Sequence, residues 1–142
     1  MDQAALVSLL AELFAAIRLV SGYPGPETLP EVHVVPRTAL EREVCGGRSC
    51  GVKAYYHPER GVFVDEALDL RGNAFDRSVL LHELVHHLQK TTGKFDAVAG
   101  LCYRRNAQEL EAYEIQNRYL SRLQASRRAV AVGWTGRCDD AS

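Results

Sequence analysis

One short stretch constrains this chain more than any other: Leu80-Leu81-His82-Glu83-Leu84-Val85-His86-His87-Leu88-Gln89. On a helix each residue advances about 100°, so His82 and His86 fall on one face, one turn apart, with Glu83 to the side of the pair. Leu81, Leu84, Val85 and Leu88 take the opposite side, the pattern of a helix with one face in a core. Two neutral imidazoles one turn apart can grip a single zinc ion, which accepts nitrogen and carboxylate ligands and prefers tetrahedral geometry. The neighbouring carboxylate can take a proton from water held there. His-Glu-x-x-His fixes only three positions and does arise by chance. Here it stands in register with an amphipathic helix, and a suitable third ligand follows downstream.

Two histidines leave a zinc ion two positions, one for a protein ligand and one for water. The candidates in the last long helix are Glu109 and Glu111, and helical phase separates them. Glu109 shares its side with Ala112, Tyr113, Gln116, Leu120 and Leu123, so it points toward the body of the protein. Glu111 shares its side with Glu114, Arg118 and Arg122, a solvated charged face. Glu109 is therefore the expected ligand and Glu111 an ordinary surface carboxylate. A carboxylate on an apolar side is costly without a partner, and a metal ion would be one. Ala112, one turn beyond Glu109, leaves room for the two site helices to approach. Gln89 and Gln116 are expected to hydrogen-bond between them.

The surrounding pattern reads as α+β. Residues Asp2 to Val20 form a first helix with a core stripe of Leu6, Leu9, Leu10, Leu13, Phe14 and Ile17, and Ser21 to Pro26 stop it. Val32 to Val35 is a short strand ending at Pro36, with His33 in it as a surface histidine. Leu40 to Val44 is a helical turn. Gly51 to Tyr56 and Gly61 to Asp65 are strands joined by the turn His57-Pro58-Glu59-Arg60. Asn73 or Asp76 caps the histidine helix, which runs to about Lys90 before Thr91-Thr92-Gly93. After a connector from Phe95 to Gly100, a long helix runs from about Tyr103 to Arg127. The apolar run Ala129 to Val132 and a tail with Trp134 follow.

The chain's 142 residues, 46 % hydrophobic and 25 % charged, suit one domain over residues 1–142 with one modest core. A net charge of −1 carries no nucleic-acid footprint, and the basic residues between Arg118 and Arg128 read as a solvated helix face. Ala4 to Val20 is the most apolar run. Glu12 and Arg18 interrupt it and it falls short of a bilayer span, so no membrane span is expected. Asp2 replaces the basic start of a signal peptide. Four cysteines fit two disulfides, most simply Cys45–Cys50 around Gly46-Gly47-Arg48-Ser49 and Cys102–Cys138 tying back the tail, out of three connectivities. A structural zinc site is the rival, without the usual paired C-x-x-C spacing, and four reduced thiols are the plain alternative. Disulfides favour an exported protein, periplasmic or secreted; reduced cysteines would fit the cytoplasm.

His82-Glu83-x-x-His86, followed after 22 intervening residues by Glu109-x-x-Ala112, resembles the zincin metallopeptidases of the gluzincin type. The resemblance covers roughly Tyr55 to Tyr119 and implies a minimal zincin-like domain. Such a domain has an N-terminal helix, a sheet of about three strands, an active-site helix and a C-terminal helix bearing the third zinc ligand. It implies hydrolysis of a peptide or protein substrate by a metal-activated water, with Glu83 as general base. The hairpin holding Gly61 to Asp65 would supply an edge strand able to pair with extended substrate. An oxyanion donor is also implied. Tyr113, one turn from Glu109 on the same face, is the first candidate, with Tyr103, His57 and His87 as alternatives. Tyr113 also stands where gluzincins often carry an acidic residue that orients a histidine. Two other readings compete: a zincin-fold binding or regulatory module with little or no turnover, and a structural zinc protein. His87 or a cysteine as a fourth ligand would favour the last, and Asp139 in the open position would make the protein self-inhibited.

Overall fold

The computed structural model of the chain describes residues 1–129 and Cys138. Val130, Val132, Trp134 and Asp139, singled out above, lie outside the described residues. The elements are α1 (Gln3–Ser21), β1 (Val32–Val35), α2 (Arg37–Cys45), β2 (Ala54–His57), β3 (Gly61–Asp65), α3 (Ala74–Thr92) and α4 (Leu101–Arg122). The fold is α+β, with four helices and a small mixed sheet of three strands.

Local chemistry explains where the helices start and stop. Asp2 caps α1 by accepting from the Ala5 N–H, and Gly22, left-handed at φ 79°, ends it. Asn73, not Asp76, caps α3, accepting from the Asp76 N–H at 3.0 Å. The threonines expected to stop α3 instead join it, returning their hydroxyls to the carbonyls of His87 and Leu88, and Gly93 ends it. α4 stops at Arg122, short of the expected Arg127, because Gln124 takes a left-handed turn at φ 55°. α2 is a full helix where only a turn was expected.

In the sheet the order is β1-β3-β2, with β1 parallel and β2 antiparallel to β3. The edge nearest α3 is therefore β2, and Gly61 to Asp65 is the central strand. β2 begins at Ala54 rather than Gly51, which has a left-handed φ of 70° just after the Cys45–Cys50 disulfide. Gly61 is required where β1 comes alongside. Its φ is 96°, and a Cβ there would lie 2.3 Å from the Glu31 carbonyl, the group that accepts the Val62 N–H. Asp65 N–H donates to the Lys53 carbonyl at 2.9 Å. Antiparallel alternation then turns the backbone groups of Ala54 and Tyr56 away from β3, toward the open edge.

α1, α3, α4 and the Val62–Val64 face of the sheet enclose one core. Leu80, Leu81, Leu84, Val85 and Leu88 of α3 lie at its centre, each almost fully buried and each worth roughly 1.5–3 kcal/mol of apolar transfer. The expected α1 stripe is buried with them. By length and composition α1 is also the one helix among the described residues that could cross a bilayer, with a third of that stretch buried in this fold. Both expected disulfides are present, and Cys102–Cys138 holds Cys138 against the first turn of α4.

Asp65 ends β3 with an almost fully buried carboxyl. Burial alone would raise its pKa. The Ala67 N–H, the paired Arg37 guanidinium and Lys53 outweigh burial and bring it below the ordinary 3.8. A lowered carboxyl stabilises the fold above the ordinary value and loses that contribution as pH falls through its folded pKa. Asp65→Asn should lower stability by about 1 kcal/mol at neutral pH, given the half-exposed Arg37. In thermal melts across a pH series, the gap from wild type should be full above about pH 5 and narrow as pH falls below the ordinary carboxyl value.

Candidate metal centre

Much of the polar side of α3 is buried as well, with His86 left partly exposed. His82, Glu83, His87 and Gln89 are all at most 9 % exposed. α4 crosses this side closely, with Ala112 fully buried one turn after Glu109. Glu109 thereby reaches both histidines. The ligand atoms of His82, His86 and Glu109 all lie within 4.8 Å of one another, a group that could hold a metal ion. His82 Nε2 is 3.4 Å from Glu109 Oε2, and His86 Nε2 pairs with the other carboxylate oxygen.

Glutamines orient both imidazoles. His82 Nδ1 is 2.9 Å from Gln116 Oε1, and Gln116 Nε2 donates to Ser78 Oγ at 3.0 Å. His86 Nδ1 is 2.8 Å from Gln89 Oε1, whose Nε2 donates to the Gln108 carbonyl at 2.9 Å. An amide whose nitrogen is committed to an acceptor presents its oxygen to the ring. Each Nδ1 is then the donor, and each Nε2 faces Glu109 as a potential ligand atom. The outer partner left open by Tyr113 is thus Gln116. As expected, both glutamines serve the site, but Gln89 bonds to its own helix as well as to α4.

The charges of the group pull on one another. Burial would lower the His86 pKa, but the bond to Glu109 and the charges of Glu83 and Glu109 raise it well above the ordinary value. Burial would raise Glu109, but both imidazoles hold it well below the usual carboxylate range. Glu83 sits beside the pair, with the Tyr56 backbone N–H at the open edge of β2 acting on its carboxyl. Burial pushes its pKa up; His82, His86 and that N–H oppose burial, Glu109 adds to it, and the net direction is upward. Tyr113 lays its ring edgewise on His82, centroids 4.5 Å apart. Burial, then Glu109 and Glu83, raise its pKa. Tyr113 is therefore a neutral hydroxyl close to both carboxylates.

The other candidates are elsewhere. His87 is not a ligand: its Nε2 meets the Thr28 carbonyl at 3.2 Å and its Nδ1 the Tyr56 hydroxyl at 3.3 Å. His57 caps the hairpin turn, accepting from Glu59 and Arg60 N–H groups. Tyr103 is exposed at the start of α4, and His33 stacks on Phe63. All four cysteines are in disulfides. Glu111 is not the surface carboxylate that its phase suggested. It is 17 % exposed and bonds to Tyr23, Gln89 and Lys94, residues brought to it by the loops after α1 and α3 and by α3 itself. Sequence reasoning missed Ser78, Tyr23, Lys94 and the Tyr56 N–H. Only Ser78, one turn before His82, carries a spacing signal.

No curated protein and no solved structure matches the chain. The family described as "Domain of unknown function (DUF6647)" matches residues 2–141, and the chain belongs to that family.

Proposed function

We propose that the protein is a small zinc-dependent peptidase of zincin type, with His82, His86 and Glu109 as metal ligands and Glu83 as general base. The observation that carries this reading is the convergence of two oriented imidazoles and one carboxylate beside a second, buried carboxylate. The donor set suits zinc. Two imidazole nitrogens and one carboxylate oxygen, converging within 4.8 Å of one another, are ligands of the kind zinc takes. Three protein ligands leave a fourth position open, as catalytic rather than structural sites do.

When bound, zinc supplies Lewis acidity, polarising a carbonyl and acidifying water. Everything else is done by the chain. Glu83, held by the Tyr56 N–H, takes the proton of the attacking water and delivers it to the departing amine. The hydroxyl of Tyr113, kept protonated by its surroundings, donates to the oxyanion. The open edge of β2 offers Ala54 and the Tyr56 carbonyl for pairing with an extended substrate backbone.

Elemental analysis should find about one zinc per chain, and chelation should abolish hydrolysis of a generic peptide library. Glu83→Gln should retain zinc and lose activity by about 10³-fold. Zinc without cleavage by the wild type would replace the peptidase with a zincin-fold binding module. Absence of zinc after metal-replete purification would sink the proposal. Tyr113→Phe should lower kcat about 10²-fold with KM little changed; an unchanged kcat would remove Tyr113 from the mechanism.

A further inference from the structure

Glu111 lies two residues beyond Glu109 and does not belong to the ligand group, yet its surroundings tie it to the same site. Its Oε1 accepts from the Tyr23 hydroxyl and, at 3.2 Å, from Gln89 Nε2; its other oxygen pairs with Lys94 Nζ. Gln89 is almost fully buried and fully engaged. Its two Nε2 hydrogens go to the Gln108 carbonyl and to Glu111, groups that only accept, and its Oε1 faces His86 Nδ1. The amide cannot flip without losing both donations.

His82 provides a comparison within the molecule. Its chain runs through Gln116 to the Ser78 hydroxyl, which donates to the Phe75 carbonyl at 2.6 Å. Every group outward from His82 on that path is neutral. The path outward from His86 ends in a carboxylate, fixed by Tyr23 and Lys94, which belong to neither site helix. Lys94 also lies 5.0 Å from the centre of the Tyr23 ring, so the two residues that hold Glu111 brace each other.

We infer that Glu111 is a positioning residue of the metal centre, acting through Gln89 to keep His86 Nδ1 a donor and its Nε2 directed at the metal. Its negative charge polarises the two intervening hydrogen bonds and makes His86 a stronger ligand. The inference rests on the metal-centre reading above.

The test is zinc affinity, by competition with a chromophoric chelator, for wild type, Glu111→Gln, Gln89→Leu and the double variant. Melting of each metal-stripped protein and the visible spectrum after cobalt substitution accompany it. Glu111→Gln preserves shape and removes charge. It should weaken zinc binding about tenfold and shift the cobalt spectrum, while melting changes by less than about 2 °C. In the Gln89→Leu background the same change should alter affinity by less than about twofold, because the path to His86 is already cut. Should Gln89→Leu fail to fold, Gln89→Met takes its place. Unchanged zinc affinity in Glu111→Gln, or a tenfold loss that persists without Gln89, would overturn the inference. A wild type that binds no zinc overturns the metal-centre reading itself, and is recognised before any variant is compared.

Discussion

The structure depends on a helix that is buried on both sides. α3 places Leu80, Leu81, Leu84, Val85 and Leu88 in the apolar core, and turns His82, Glu83, His87 and Gln89 to a second side where they too are buried. A buried polar group without a partner costs roughly 1–3 kcal/mol, so four such groups would consume much of a small domain's stability of about 5–15 kcal/mol. The neighbours are arranged as partners. α4 brings Gln116, Glu109 and the Gln108 carbonyl; β2 brings the Tyr56 N–H and hydroxyl; the loop before β1 brings the Thr28 carbonyl. Among the described residues, no buried side-chain nitrogen or oxygen lacks a hydrogen-bond partner.

This requirement explains how α4 is held. Its approach to α3 is close because Ala112 puts only a methyl between the helices. Its angular setting is constrained from outside. Glu111 reaches Tyr23 and Lys94, Arg118 donates to the Val20 carbonyl, and Cys102 is bonded to Cys138. These contacts tie α4 to α1, to the segments that follow α1 and α3, and to Cys138, and so constrain the rotation of the helix that carries Glu109. The proposed ligand set, drawn from two helices, needs that, since a small roll of α4 would swing the carboxylate away from both imidazoles.

Much of this was legible in the sequence because it follows from periodicity. The α1 stripe, the apolar side of α3, the sheet of three strands and the phase of Glu109 all come from counting residues around a helix or along a strand. The pairing of cysteines was also legible, since a four-residue loop and a tail tie are the simplest closures. What periodicity does not contain is the contribution of loops. Glu111 looked solvated because its own helix surrounds it with Glu114, Arg118 and Arg122. Tyr23 and Lys94 come from elsewhere in the chain, and no helical wheel includes them. The same limit hid the Tyr56 N–H, a backbone group whose direction depends on strand register, and it left open which hairpin strand is the edge, which β1 settles by pairing with β3. Boundaries failed for local reasons: two threonines that bond back into α3, and one left-handed glutamine after α4.

Tyr56 joins two parts of the proposed reaction that would otherwise be independent. Its N–H interacts with Glu83, so a substrate strand lying along β2 would compete with that carboxyl for it. Its hydroxyl, bonded to His87, fixes the same residue to α3. The edge therefore presents an incomplete ladder: both backbone groups of Ala54, and only the carbonyl of Tyr56. A peptide pairing there gains its hydrogen bonds on the Ala54 side and leaves the Tyr56 end to the base. In an antiparallel ladder consecutive outward-facing residues are two apart, so the position of Glu83 along the edge and the register of the substrate are set by one backbone. Displacing β2 would move the general base and the substrate-pairing edge together, which makes the short strand as much a part of the proposed site as the histidine helix.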